Sequence, residues 1–162
     1  MSALTVRAAT VDDVGLLHRF STDLATYEDH PDAVTATPQT LARDGFGKEP
    51  QFAAVIAERA GKPVGFALYT FNYSVWTAAR GIFIEDIWVM SGERRNGVAR
   101  ALMSALAREC LSKGYKRIDL NVLDWNPARA FYERIGFAWI RNWLPYRVSG
   151  EALEKLAASP DP

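Results

Sequence analysis

The spacing of apolar and polar positions changes several times along this chain, and each change marks an element. Leu4 to Ala8 alternates in the manner of an edge strand. Thr10 and Asp13 have the spacing of a helix cap, and Val14, Leu17, Phe20 and Leu24 then recur on one helical face, which predicts a helix running to about Tyr27. Glu28 to Asp32 is a polar break. Thr37 before Pro38 suits the cap and first turn of a short second helix, and Asp44-Gly45-Phe46-Gly47 reads as the turn that ends it. From Gln51 the period shortens to that of strands. Phe52 to Glu58 and Val64 to Asn72 form a predicted hairpin around Ala60-Gly61-Lys62-Pro63.

An aromatic loop, Tyr73-Ser74-Val75-Trp76, leads into a predicted strand from Gly81 to Val89. Val98, Leu102, Ala105 and Leu106 then return to helical spacing, to about Lys113, with Gly114 as the stop. Arg117 to Val122 reads as a strand, and Asp124-Trp125-Asn126-Pro127 opens a short helix that ends at Gly136. Two short aromatic strands are expected around Trp139 and Tyr146, then a small helix from Glu151 to Ala157 and a frayed Ser-Pro-Asp-Pro end. This order is mixed α/β around a central sheet. With no repeat, low-complexity block or linker, the expectation is one domain over residues 1–162.

One stretch carries more than packing. From Glu85 to Ala99 a strand delivers its chain through a polar turn, with Arg94, Arg95 and Gly97, into a helix N-terminus. Free backbone N–H groups and the positive end of the helix dipole attract an anion there, usually a phosphate. No Gly-Lys-Ser/Thr follows the glycine, and no Gly-x-Gly-x-x-Gly follows the strand, so neither a Walker loop nor a dinucleotide fingerprint accounts for it.

Bulk composition narrows the partners. Lys plus Arg and Asp plus Glu number 19 each, a zero net charge that argues against nucleic acid. Cys110 is the single cysteine, so an internal disulfide is excluded and a reducing compartment fits. No apolar run approaches the roughly 18 residues of a membrane helix, and the start lacks the basic and apolar blocks of a secretion signal. The expectation is a cytoplasmic protein that does not engage membranes. His18 and His30 lack partners at metal-ligand spacing, so no metal is assigned.

Arg94-Arg95-Asn96-Gly97-Val98-Ala99 resembles the Gln/Arg-x-x-Gly-x-Gly/Ala pyrophosphate loop of the GNAT N-acetyltransferase superfamily, which grips the diphosphate of acetyl-CoA. A second segment, Asn126 to Phe137, resembles that family's Asn … Phe-Tyr-x-x-x-Gly-Phe run, although the interval from Asn126 to Tyr132 is one residue shorter than usual. Tyr27-Glu28, Tyr73-Ser74-Val75-Trp76, Glu85-Asp86, Val122 to Asn126 and Gly150 to Leu153 look like the diamine acetyltransferase branch, with its spermidine/spermine and thialysine types. The polyamine type carries an aspartate where this chain has Ser74, and both types carry an acid near the end where this chain reads Arg141-Asn142-Trp143. Fewer carboxylates and an added arginine favour a shorter amine over a long polycation.

The resemblance implies a GNAT fold, α/β with a mixed, mostly antiparallel central sheet and helices on both faces. It implies acetyl-CoA as co-substrate, held by Arg94, Arg95, Asn96, Gly97, Val98, Ala99, Arg100, Asn126 and Tyr132. Backbone N–H groups of Trp88 and Val89, with Ile87 beside them, would take the pantetheine and the thioester oxygen. A lysine-like amine titrates at about 10.4, so presenting it neutral at pH 7 costs about 4–5 kcal/mol. Glu85 is the family-aligned base, direct or through water, and Tyr132 the acid beside the sulfur. Tyr27, Glu28, Trp76, Glu85, Asp86, Asp124 and Trp125 are the acceptor candidates, since a carboxylate beside an aromatic face suits an ammonium group. A homodimer is implied as well. The rival readings are a polyamine N1-acetyltransferase and a coenzyme A-binding sensor without catalysis.

Overall fold

A computed structural model describes residues 3–159. They fall into two compact units, one ending at Leu123 and the other beginning at Asp124.

The first unit is built on a five-stranded sheet in the order β1 (Leu4–Ala8), β2 (Ala53–Arg59), β3 (Lys62–Ser74), β4 (Ala79–Val89) and β5 (Ile118–Leu120). The first three pairings are antiparallel; β4 with β5 is parallel. A parallel pair needs a crossover, and α3 (Val98–Ser112) provides it. Ala60 and Gly61 both take positive φ, 51° and 70°, the conformation of a tight two-residue hairpin turn, so Lys62 and Pro63 belong to β3 rather than to the turn.

The sheet is covered on both sides. Ala54, Ile56, Phe66 and Leu68 face Leu17 and Phe20 of α1 (Val14–Tyr27), with Leu41 and Phe46 of α2 (Pro38–Phe46) packed alongside. The opposite face takes α3, which buries Val98, Leu102, Met103, Leu106 and Cys110. There the Tyr69 hydroxyl donates to the Glu109 carboxylate. Gly65 allows the close approach: a Cβ on it would stand 3.1 Å from Val98 Cγ1 and 2.7 Å from the Trp88 carbonyl oxygen.

The helix starts follow their capping residues. Asp13 accepts from the Thr10 backbone N–H at 2.8 Å before α1, and Arg7 grips Asp13 at 2.7 Å and Glu58 at 2.8 Å. That guanidinium is the main reason the Asp13 carboxyl drops to about 2. Thr37 and Thr40 exchange backbone-to-hydroxyl bonds at the start of α2. This helix continues through Asp44-Gly45-Phe46, which corrects the turn expected there. Gly45 serves packing instead, because a Cβ at that position would meet Phe52 Cζ at 2.3 Å.

The second unit holds α4 (Ala128–Arg134) and α5 (Gly150–Ala157). The strands expected around Trp139 and Tyr146 do not form; residues 137–148 are irregular. Trp139 and Tyr146 are 63% and 91% exposed, and neither belongs to a strand, so aromatic spacing marks a surface here rather than a sheet.

Candidate active site

The acid pair predicted at Glu85-Asp86 sits at a break in the sheet's register. Leu68 stands opposite Asp86 and Tyr69 opposite Ile84, which leaves Glu85 as an extra residue without a partner. Such a bulge re-aims side chains. Thr70 Oγ1 donates to Glu85 Oε1 at 2.9 Å, and Ser21 Oγ of α1 donates to Asp86 Oδ2 at 2.6 Å, so the α1 side of the sheet receives both carboxylates. Glu85 is exposed, whereas Asp86 is half-buried. Burial raises the Asp86 carboxyl, and the Ser21 bond partly opposes it. Glu28 is raised too, first by burial and then by the nearby charge of Asp86. Tyr27 packs on Trp88 with ring centroids 5.6 Å apart. Tyr27, Glu28, Glu85 and Asp86 therefore share one neighbourhood. Trp76 does not join them: it is 85% exposed at the β3–β4 hairpin tip, and six strand residues at the usual rise set Ala79 alone roughly 20 Å from Glu85.

Beyond the bulge, β4 runs without β5, which pairs only with Ile82, Phe83 and Ile84. The Met90 N–H bonds the Val64 carbonyl at 3.0 Å and the Trp88 oxygen lies against Gly65, so Trp88 turns its backbone toward β3. By alternation, Ile87 and Val89 turn theirs toward the open edge. Trp88 thus offers its indole, not the free N–H expected of it. Val89 contributes a carbonyl as well, accepting from Arg94 Nε at 3.2 Å.

The chain then passes one 3-10 turn, Ser91–Glu93, and positive φ at Arg95 (63°) and Gly97 (83°) before α3 begins. The bond from Ala101 N–H to the Gly97 carbonyl is the first of that helix, so the N–H groups of Val98, Ala99 and Arg100 have no partner within it. Arg95 and Arg100 are exposed beside them. Three free N–H groups at the positive end of a 15-residue helix, flanked by two exposed cations, are a donor set that fits a diphosphate. Arg59 braces the loop from β2, donating to Glu93 at 2.9 Å and to the Asn96 carbonyl at 3.2 Å. Arg94 behaves differently from its neighbours. Its guanidinium carbon lies 4.6 Å from the centroids of both the Tyr27 and the Trp88 rings.

In the second unit, Asn126 Oδ1 accepts from the N–H of Ala128, the first residue of α4, at 2.9 Å. Tyr132 is buried, with its ring 5.4 Å from Phe131 and 5.8 Å from Phe137. Asp124 and Trp125 are exposed ahead of the helix, and Arg129 donates to the Asp124 carbonyl at 2.9 Å. Arg129 and Arg141 both lie over the Trp139 ring, at 5.3 and 4.9 Å.

Sequence reasoning missed Ser21, Thr70 and Arg59. Ser21 had a signal: it is a polar residue beside Phe20 on the apolar stripe of α1, two turns before Glu28 and on the same face. Among the described residues, no three His, Cys, Asp or Glu gather as metal ligands, and no helix is long and apolar enough to cross a membrane.

The chain is similar to known acetyltransferases along most of its length. The thialysine N-epsilon-acetyltransferase of Sus scrofa is 36% identical over 169 aligned residues, covering 97% of this chain and 99% of the relative. Human spermidine/spermine N(1)-acetyltransferase-like protein 1 is 31% identical over 97% of this chain, but only 24% of that longer protein is matched. Among solved structures, an integron cassette protein from the mobile metagenome of V. cholerae superposes with a TM-score of 0.78 at 29% identity, covering 98% of this chain and 99% of that one. The model of the Acetyltransferase (GNAT) family matches residues 17–137, a span that takes in most of α1, the bulge, the α3 loop and Tyr132. These agreements make the chain a member of the GNAT acetyltransferase family and an acetyltransferase enzyme that acts on amines.

Proposed function

We propose that this enzyme transfers the acetyl group of acetyl-CoA to the primary amine of a small molecule, thialysine-like or a short diamine, by direct attack. The co-substrate, when bound, supplies an activated thioester. The observation that carries the reading is the carboxylate pair at the β4 bulge, on a strand whose open edge leads straight into the free N-terminus of α3. Glu85, exposed and oriented by Thr70, takes the proton of the attacking amine, directly or through a water. Asp86, Glu28 and Tyr27 receive the cationic remainder of the acceptor. The Val89 N–H on the open edge and the helix-terminal N–H groups hold the donor. Tyr132 positions the sulfur and protonates it as it leaves; Asn126 keeps its cofactor role through its free amide nitrogen.

The acceptor class rests on similarity and on charge. The Sus scrofa relative is named for thialysine. Ser74 stands where the polyamine type carries an aspartate, and Arg141 where both types carry an acid, so the chain is poorer in carboxylates for a long polycation. Residues 1–162 work as one acetyltransferase domain, in the cytoplasm and as a homodimer, in which Trp76 at the hairpin tip is offered to a second copy.

Thiol release from acetyl-CoA across thialysine, lysine, putrescine, spermidine and a peptide amine tests the proposal. Brisk release with thialysine and little with spermidine is the expected result. A preference for spermidine would return the polyamine reading, and no release with any amine would overturn the acceptor class altogether.

A further inference from the structure

Arg94 occupies the first position of the diphosphate loop, yet its side chain is turned back into the protein. The guanidinium carbon lies 4.6 Å from both the Tyr27 and the Trp88 ring centroids, and those rings are themselves 5.6 Å apart and tilted by 58°. Its Nε is committed to the Val89 carbonyl at 3.2 Å. Arg94 is half-buried, whereas Arg95 and Arg100 stand exposed beside the free helix N–H groups. The planar guanidinium is suited to this, since it stacks on aromatic faces while its edge keeps hydrogen bonding.

The three residues of this stack come from different elements. Tyr27 is the last residue of α1 and Glu28 follows it directly; Trp88 lies on β4 past the bulge; Arg94 begins the loop. On its other side the same loop is held by Arg59 through Glu93 and the Asn96 carbonyl. The loop is therefore fixed between β2 and the end of α1.

We propose that Arg94 is a positioning residue that couples the diphosphate loop to the acceptor side, so that filling the loop orders Tyr27 and Glu28 and tightens amine binding. This rests on the acceptor reading of Tyr27 and Glu28 given above. Coupling of this kind is reciprocal: an amine that binds the ordered α1 end raises coenzyme affinity by the same factor. The phosphate charge itself is met by the helix N–H groups with Arg95 and Arg100.

The test compares wild type, R94A, R94K and R95A. At saturating acetyl-CoA, R94A is expected to raise the acceptor KM about tenfold while the coenzyme A Kd changes less than threefold. R94K, which keeps the charge and loses the planar fork, should fall between R94A and wild type. R95A should show the reverse pattern, with weaker coenzyme binding and an unchanged ratio of amine affinities with and without coenzyme. A second readout does not need turnover: amide hydrogen exchange in the last turn of α1, measured with and without coenzyme A. Coenzyme is expected to slow exchange there in the wild type and not in R94A, at coenzyme concentrations saturating for each. A tenfold loss of coenzyme affinity in R94A with the acceptor KM unchanged would make Arg94 a plain phosphate ligand and overturn the proposal. Equal coenzyme-dependent protection in R94A and wild type would overturn it as well. If the wild type acetylates no amine, the acceptor reading fails on its own and the exchange experiment still decides the coupling.

Discussion

The Ser21 hydroxyl donates to the Asp86 carboxylate across 2.6 Å, joining the middle of α1 to the residue just past the β4 bulge. The bond matters because Asp86 is half-buried, and that burial is the main cause of its raised carboxyl pKa.

Folding therefore favours the protonated form of Asp86. A raised folded-state pKa gives stability that is complete below the unfolded value and is lost as the pH rises through the folded one. D86N is neutral throughout, so its melting temperature should gain on that of the wild type from acid to neutral pH. Parallel melting profiles for the two proteins would contradict this account.

Asp13 has the opposite sign. The Arg7 guanidinium holds its carboxyl at about 2, so its contribution is complete above the ordinary aspartate value and is lost as the pH falls through 2. Arg7 is 41% exposed, and solvent screening reduces the pair to about 1 kcal/mol. Urea unfolding of D13N should show that deficit at pH 7 and almost none at pH 2; a deficit that persists in acid would mean that packing, not charge, was removed.

E85Q removes the proposed base and leaves the bulge in place. For a lysine-like acceptor, kcat/KM should fall about 10²- to 10³-fold, within the range of general-base catalysis. The loss should shrink for acceptors that are already neutral at the assay pH. Kinetics over a series of amines of falling pKa checks this, and a loss independent of amine pKa would remove Glu85 from the proton path.

G65A asks whether α3 must sit as close to β3 as it does. The added methyl would stand 2.7 Å from the Trp88 oxygen and 3.1 Å from Val98 Cγ1, whereas nothing lies within 4 Å of the same group at Gly92. G65A should cost about 1–3 kcal/mol by denaturant unfolding, as overpacked cores do, and G92A almost nothing. Coenzyme titration should weaken with G65A, since Val98 carries one of the free N–H groups of the α3 terminus. Undiminished coenzyme affinity in a destabilised G65A would separate the packing from the site.

The elements legible in the sequence were those written in local spacing. Val14, Leu17, Phe20 and Leu24 fixed α1, Thr37-Pro38 fixed the start of α2, and Gly114, at a φ of 70°, marked the end of α3 as its position suggested. The loop from Arg94 to Ala99 was readable for the same reason, because a strand, a left-handed glycine and a helix start follow one another in the chain. What escaped notice depends on partners distant in sequence. Glu85 is a bulge only because β3 pairs around it. Ser21 meets Asp86 only once α1 lies on the sheet, and Gly45 reads as a turn until Phe52 is brought against it. The aromatic tail failed for the complementary reason: alternation suggests a strand, but only a neighbouring backbone can make one.

The bulge has a final consequence for the reading frame of β4. Ile84 points to the α3 side and Asp86 to the α1 side although both are even-numbered, and the unpaired Glu85 absorbs the difference. Deleting that one codon would bring Ile84 and Asp86 into succession opposite Tyr69 and Leu68, with every other side chain left on its present face. The proposed base is thus the one residue of the strand that the sheet does not need. Chemistry and architecture are separable here by a single triplet.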